Sequence, residues 1–156
     1  MSDASTGPGR NKQVAKLRHG TVIDHLSPGM ALKALEMIGV PSEGAALIGV
    51  NLVSAKMGRK DILKLENVEL TQQQIENLAV LGPGASVCYI REYEITRKVY
   101  VELPNRIEGV LRCPNPNCIT NHDRITTRFD VERASPTEVR CVYCERVISE
   151  EEITLL

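Results

Sequence analysis

Four thiols stand where they could hold a metal. Cys113 and Cys118 form a Cys-x4-Cys pair, and Cys141 and Cys144 follow after twenty-two residues as Cys-x2-Cys. Each spacing suits a tight knuckle that aims two thiolates at one point, and four soft sulfur ligands favour tetrahedral zinc. Tetrahedral sulfur also accepts iron in a rubredoxin-like site, so the presence of a metal is better specified than its identity. Such a site is closed: no coordination position is left for water, so the metal contributes folding energy and a rigid surface rather than catalysis. Two disulfides are the competing pairing. The odd count of five cysteines, the knuckle spacing and the lack of an apolar signal-type stretch in residues 1–12 argue against it. His122 reads as a solvated loop histidine and Cys88, inside an apolar run, as a small buried residue.

A second polar set lies in the N-terminal part: Asp24-His25 at a strand end, Lys60 and Lys64, and Arg97-Lys98. Residues four apart in a strand share a face, so Lys60 and Lys64 could jointly meet an anion. A carboxylate can accept from ribose hydroxyls, ammonium groups neutralise phosphates, and strand-edge backbone can read a base, so the set suits a nucleotide. On the residues alone, a solvated sheet face is the stronger reading of the lysines. Neither Gly-x-Ser-x-Gly, His-Glu-x-x-His nor a phosphate-cradling Gly-x-x-x-x-Gly-Lys-Ser/Thr occurs.

Charge restricts the partners. The chain carries 19 Lys and Arg against 20 Asp and Glu; up to Pro104 they number 12 and 11, and beyond it 7 and 9. A zinc module that grips nucleic acid carries a basic footprint and stacking aromatics, whereas this one is slightly acidic and holds only Phe129 and Tyr143. The charge balance therefore disfavours the alternative of a zinc-ribbon nucleic-acid-binding protein. A third alternative, a redox enzyme using the cysteines, would need thiols not committed to a metal. No apolar run is long enough to cross a bilayer as a helix and no targeting segment is evident, which makes the cytoplasm the expected compartment and a membrane no partner.

The elements that must position these groups can be read in outline. Residues 1–12 lack periodicity and are expected to be a disordered extension. A strand, or two short ones, is expected over 13–25. A helix follows, with Ser27 as N-cap and Pro28 at its first position, ending at Gly39. Residues 45–54 and 61–68 read as strands joined by a polar turn over 55–60. Thr71-x-x-Gln74 is a capping box that opens a second helix ending at Gly82-Pro83-Gly84. Strands over 85–91 and 93–103 complete a β-α-β-β-α-β order with one extra strand. This is an α+β class, a ferredoxin-like antiparallel sheet covered by two helices. Proline at 104 marks a boundary between residues 13–103 and a small zinc-bound antiparallel β domain over 104–156, with strands expected at 124–131, 138–142 and 146–148.

Three motifs carry a resemblance to a known family. Gly20-Thr21-Val22-Ile23-Asp24-His25, Gly49-Val50-Asn51-Leu52 with Met57-Gly58-Arg59-Lys60-Asp61, and Cys113-Pro114-Asn115-x-Asn117-Cys118 closely resemble the regulatory chain of aspartate carbamoyltransferase, in register over residues 13–149. The resemblance implies a non-catalytic chain with a nucleotide-binding allosteric domain and a zinc domain that docks onto catalytic chains. It implies CTP and ATP, with UTP as a further candidate, competing for one pocket to control the first committed step of pyrimidine biosynthesis. It also implies regulatory-chain dimers linking two catalytic trimers, six chains of each kind.

Carried over by position, Val14, Lys16 and Leu17 would bring backbone to the base. Asp24 and Lys64 would meet the ribose, and His25 and Lys98 the phosphates. Lys60 would lie beside them, facing a second nucleotide or a metal-bridged phosphate. Ile62, Ile90, Tyr93 and Ile95 would form an apolar floor and the base-reading edge. Two residues depart from the pattern: Cys88 replaces a familiar asparagine and Tyr100 a familiar basic residue, which bears on triphosphate affinity and on the CTP-versus-ATP response. Asn115, Asn117, Tyr143 and Glu145 match loop positions near the catalytic chain.

Overall fold

Apolar residues at every second position build the first sheet. In Gly58–Glu66, Asp61, Leu63 and Leu65 point inward and are fully buried, while Lys60, Ile62 and Lys64 alternate with them on the other face. The computed structural model describes residues 16–156, so the expected extension over 1–12 and the start of the first strand at 13–15 fall outside the described residues. The chain divides into two compact units, meeting between Val101 and Glu102.

The first unit contains β1 (His19–Leu26), α1 (Met30–Ile38), β2 (Ala46–Ser54), β3 (Gly58–Glu66), α2 (Gln72–Leu81), β4 (Ser86–Arg91) and β5 (Glu94–Tyr100). They form one sheet in the order β2-β3-β1-β4-β5 with every neighbouring pair antiparallel. This is the expected ferredoxin-like arrangement. Ile23, Leu26, Leu63, Leu65 and Val87 from the sheet pack with Ala31 and Ala34 of α1 and Leu78 and Ala79 of α2. Truncating one of the fully buried aliphatic residues, such as Ile23, costs about 2–5 kcal/mol through lost transfer energy and a residual cavity.

Helix α2 begins as expected: the Thr71 hydroxyl accepts from Gln74 N, and the Gln74 side chain accepts from Thr71 N. Helix α1 does not. It starts at Met30 with Gly29, at φ 91°, in the N-cap position, while Ser27 and Pro28 form the preceding turn through Met30 N and Ser27 O. The reason is Asp61, whose carboxylate caps the helix from the neighbouring strand, accepting from Gly29 N at 2.8 Å and Ala31 N at 3.1 Å.

Three further strand limits in this unit differ from expectation, the first being β1, which begins only at His19 and leaves residues 16–18 outside any strand. β3 begins at Gly58, because Gly58 at φ 79° closes a three-residue loop and lets Ser54 pair with Gly58, so Lys60 sits in the strand rather than the turn. β5 runs only from Glu94 to Tyr100. Glu92 and Tyr93, at φ 49° and 66°, form the two-residue hairpin turn before it.

The second unit is the expected small antiparallel β domain, and it contains β6 (Arg106–Glu108), β7 (Leu111–Arg112), β8 (Arg128–Ala134), β9 (Thr137–Cys141), β10 (Val147–Ser149) and β11 (Thr154–Leu155). Four strands form a sheet in the order β10-β9-β8-β6, and β11 pairs with β7. Phe129 and Val139 are fully buried, with Leu111 and Ile148 nearly so. β8 replaces the expected strand over 124–131, starting four residues later and ending at Ala134, and the strands β6, β7 and β11, only two or three residues long, fall outside the expected ones.

Candidate functional site

The metal centre is assembled by two knuckles that hold themselves in shape before any metal is considered. In the first, Cys118 N donates to Asn115 O and Asn117 N to the Asn115 side chain, both at 3.0 Å. The Asn121 amide then donates to Cys113 O at 2.9 Å and Asn115 O at 2.8 Å. In the second, Cys141 leaves β9, Glu145 N donates back to Cys141 O at 2.9 Å, and Glu145 takes a left-handed φ of 64°.

The four sulfurs lie within 4.8 Å of one another. Cys113 Sγ is 3.6 Å from Cys144 Sγ, and Cys118 Sγ 3.8 Å from Cys141 Sγ. Sulfurs at about 2.3 Å from a tetrahedral zinc are separated by about 3.8 Å, so the donor set fits that ion. All four thiols are free, which sets aside the disulfide reading. His122 Nε2 is 2.7 Å from Pro116 O; a carbonyl only accepts, so this nitrogen carries its proton and the ring stays with the loop.

Burial pushes the Cys113 and Cys141 thiols up, with hydrogen bonds to neighbouring thiols adding to it. Burial also opposes ionisation of Cys144, but hydrogen bonds from the Asn115 side chain and the Arg146 backbone outweigh it and bring that thiol to about 7. With the Cys113 and Cys141 thiols held in their protonated form, zinc uptake as thiolates releases protons.

The second candidate site is the sheet face opposite the helices. Strand register sorts its residues into rows. One row runs Lys64–Val22–Cys88–Lys98 across β3, β1, β4 and β5. With strands about 4.8 Å apart, its two lysines are about 14 Å apart at the backbone, flanking an apolar middle. On one side Gly20, Ile90 and Ile95 form a less polar row; on the other lie Asp24, Ser86 and Tyr100. Gly20 is required there: at φ 148°, a Cβ would come within 2.1 Å of Leu65 O.

The Asp24 corner is the most ionic part of this face. Lys60 Nζ pairs with Asp24 Oδ1 at 2.8 Å, and the same oxygen accepts from His25 N at 2.6 Å. Burial pushes the Asp24 carboxyl up, yet the Lys60 ammonium and the His25 amide outweigh it and hold it below the usual carboxylate value. His25 is half-buried at a left-handed φ of 60°, with Nδ1 3.2 Å from the Ser86 hydroxyl. Burial and the Lys60, Lys56 and Lys98 charges lower its pKa against the opposing pull of Asp24. Lys64 is lowered by burial and raised in part by Asp24. Lys98 is exposed, its Nζ 5.1 Å from the centre of the Tyr100 ring, and a hydrogen bond to Tyr100 raises its pKa.

Asp24, His25, Lys60, Ile62, Lys64, Ile90 and Lys98 therefore come to one side of the sheet. Ile95 is on that side but 61 % exposed, and Tyr93 sits on the hairpin tip at 60 % exposed, so these two stand at a rim. Lys16 and the buried Leu17 lie just before β1, and Val14 lies outside the described residues. The sequence motifs assign no role to Arg18, whose guanidinium holds Glu92 of the hairpin tip at 3.3 Å, or to Asp61. The signal for Asp61 was available: it shares the inward parity of Leu63 and Leu65, where a carboxylate needs a structural reason.

A metal-stapled module closed to substrate, joined to a helix-backed sheet with an ionisable open face, defines a two-domain binding protein of the regulatory kind rather than a metalloenzyme. Residues 12–102 match the aspartate carbamoyltransferase regulatory chain, allosteric domain, and residues 105–154 match its metal binding domain. The chain belongs to the aspartate carbamoyltransferase regulatory chain family, and it is a non-catalytic subunit. It is 44 % identical over 145 residues to the aspartate carbamoyltransferase regulatory chain of Thermococcus kodakarensis, covering 92 % of this chain and 95 % of that one. Identity to the Pyrococcus abyssi regulatory chain is 46 % over 144 residues, covering 90 % and 95 %; to that of Methanocaldococcus jannaschii it is 38 % over 143, covering 92 % and 96 %. The four-cysteine cluster is thus a structural zinc site in a metal-binding domain. Among the described residues no helix is long and apolar enough to cross a membrane.

Proposed function

We propose that this regulatory chain senses CTP and ATP on the open sheet face and transmits their occupancy to catalytic chains held through its zinc domain. Residues 13–103 serve as the effector domain and 104–156 as the docking domain. The observation that carries the reading is the cation set around one ion-paired corner: Lys60 on Asp24, His25 beside them, and Lys64 and Lys98 at the two ends of one cross-strand row. Lys98 and His25 take the phosphates, Asp24 and Lys64 the ribose, and Lys60 stands next to them for a further phosphate. The base lies toward Ile90 and Ile95, with Ile62 beneath, Tyr93 at the rim, and Val14, Lys16 and Leu17 offering backbone.

CTP and ATP act through one pocket, UTP being a further candidate, and change the rate of the first committed step of pyrimidine biosynthesis in the cytoplasm. A nucleotide shifts a two-state assembly only by its differential affinity for the two states, and couplings of about 1–3 kcal/mol suffice. Regulatory chains pair with each other and link two catalytic trimers into a mixed dodecamer. Among the described residues the outer side of β2 has no strand partner and Val50 and Val53 are exposed, which supports pairing with a second copy, since an open apolar edge otherwise invites disordered association. On the zinc module, Asn115, Asn117, Tyr143 and Glu145 are the residues offered to the catalytic chain. Titration calorimetry of the holoenzyme with CTP tests the reading: saturable binding supports it, and heat no greater than that of free catalytic trimers refutes it.

A further inference from the structure

The Asp24–His25 corner lies at a register shift of the sheet, next to a carboxylate buried on the opposite side. At one point along β3, both neighbouring strands bulge. Ile23 pairs with Leu63 and Leu26 with Asp61, so Asp24 and His25 together face Ile62. Gly49 pairs with Ile62 and Leu52 with Lys60, so Val50 and Asn51 together face Asp61. Each bulge contains a non-glycine residue in the left-handed region, His25 at φ 60° and Asn51 at φ 58°.

Asp61 bonds directly to the β2 bulge and to the chain that follows the β1 bulge. It is fully buried, and its two oxygens accept from three backbone amides: Oδ1 from Asn51 N at 2.9 Å, Oδ2 from Gly29 N at 2.8 Å and Ala31 N at 3.1 Å. The first bond closes the β2 bulge. The other two fix the point where the chain, four residues after His25, turns into α1. A buried carboxylate left short of donors is costly, so the three bonds form or fail as a set. His25 is thus joined through Leu26 and the turn to Gly29, whose amide shares the Asp61 carboxylate with Asn51. Lys60 and Ile62 are the chain neighbours of Asp61 and emerge on the effector face.

Resting on the effector site proposed above, we infer that Asp61 is the positioning residue for its phosphate end, and that it links occupancy there to the edge strand β2. Asp61→Asn tests this in the assembled holoenzyme, with CTP and cytidine affinities measured by competition. Asparagine has one carbonyl acceptor, so either Asn51 N or the Gly29 and Ala31 amides must face its NH2 group. The expected result is an affinity for CTP about tenfold weaker, the scale of one lost charge-assisted bond, with cytidine affinity and zinc content unchanged. Equal weakening of CTP and cytidine, or no weakening, overturns the role of Asp61. A wild-type holoenzyme that binds neither ligand refutes the nucleotide reading itself. If Asp61→Asn does not assemble, amide exchange of the wild-type holoenzyme decides: CTP should slow the Asn51 and Gly29 amides, and unchanged exchange overturns the link.

Discussion

In the proposed effector site, Lys98 and His25 can be separated by experiment because their chemistry differs. Lys98 is an exposed cation on the edge strand β5, so Lys98→Ala should weaken CTP binding by about ten- to a hundredfold while leaving assembly intact; unchanged affinity by calorimetry rejects its assignment. His25 is tuned. Burial and the cations of Lys60, Lys56 and Lys98 depress its pKa, with Asp24 opposing, so the free site is mainly neutral near pH 7. A bound phosphate favours the protonated form and raises that pKa, so binding takes up a proton between the two values. CTP affinity should therefore rise as pH falls through the raised value and level off below the free-site value. Calorimetry at neutral pH in buffers of different ionisation heat checks this: proton uptake is expected, and none would remove His25 from the phosphate contacts. Tyr100 beside Lys98 was legible as a departure from the family pattern. Its contact with the Lys98 ammonium was not, because it depends on two side chains leaning along one strand.

Elements were legible where their signals are local. Thr71 and Gln74 are three residues apart and make the capping box that their types announce. The alternation of Asp61, Leu63 and Leu65 with Ile62 and Lys64 marks β3, and Gly39 ends α1 as expected. The start of α1 is not legible locally because its cap comes from Asp61, thirty residues farther along the chain, rather than from Ser27. The tip at Glu92 and Tyr93 carries no local turn signal because neither residue is glycine. There the left-handed turn is backed by Tyr93 N donating to Arg18 O at 3.1 Å and by the Arg18–Glu92 ion pair. Strands of two or three residues, β6, β7 and β11, are too short to show a period. Gly20 gives a test at this scale. Gly20→Ala should cost about 2–4 kcal/mol in denaturant unfolding, because its Cβ would strike Leu65 O and part β1 from β3; a change under about 0.5 kcal/mol would contradict the β1–β3 register.

At the scale of the whole molecule, the two sites differ in how much of them a linear chain can reveal. The metal centre was readable residue by residue, since each cysteine pair is a local knuckle and only the meeting of the two knuckles required the fold. The effector face was not, since Lys64, Val22, Cys88 and Lys98 become neighbours only through the register of four strands. In the proposed function, closed sulfur coordination at one site and an ionic sheet face at the other would divide the labour of a regulatory chain, one module holding the catalytic partner and the other sensing the nucleotide. Replacing Cys141 with alanine should release regulatory from catalytic chains, seen as a loss of the large species in size-exclusion chromatography; an intact assembly would refute docking by the zinc module. The most direct measurement is carbamoyltransferase activity of the holoenzyme with and without CTP, before and after the metal is chelated. Activity that responds to CTP beforehand, and that persists without any CTP response afterwards, is expected. A CTP response that survives complete zinc removal, or activity that disappears with the metal, would overturn the central claim.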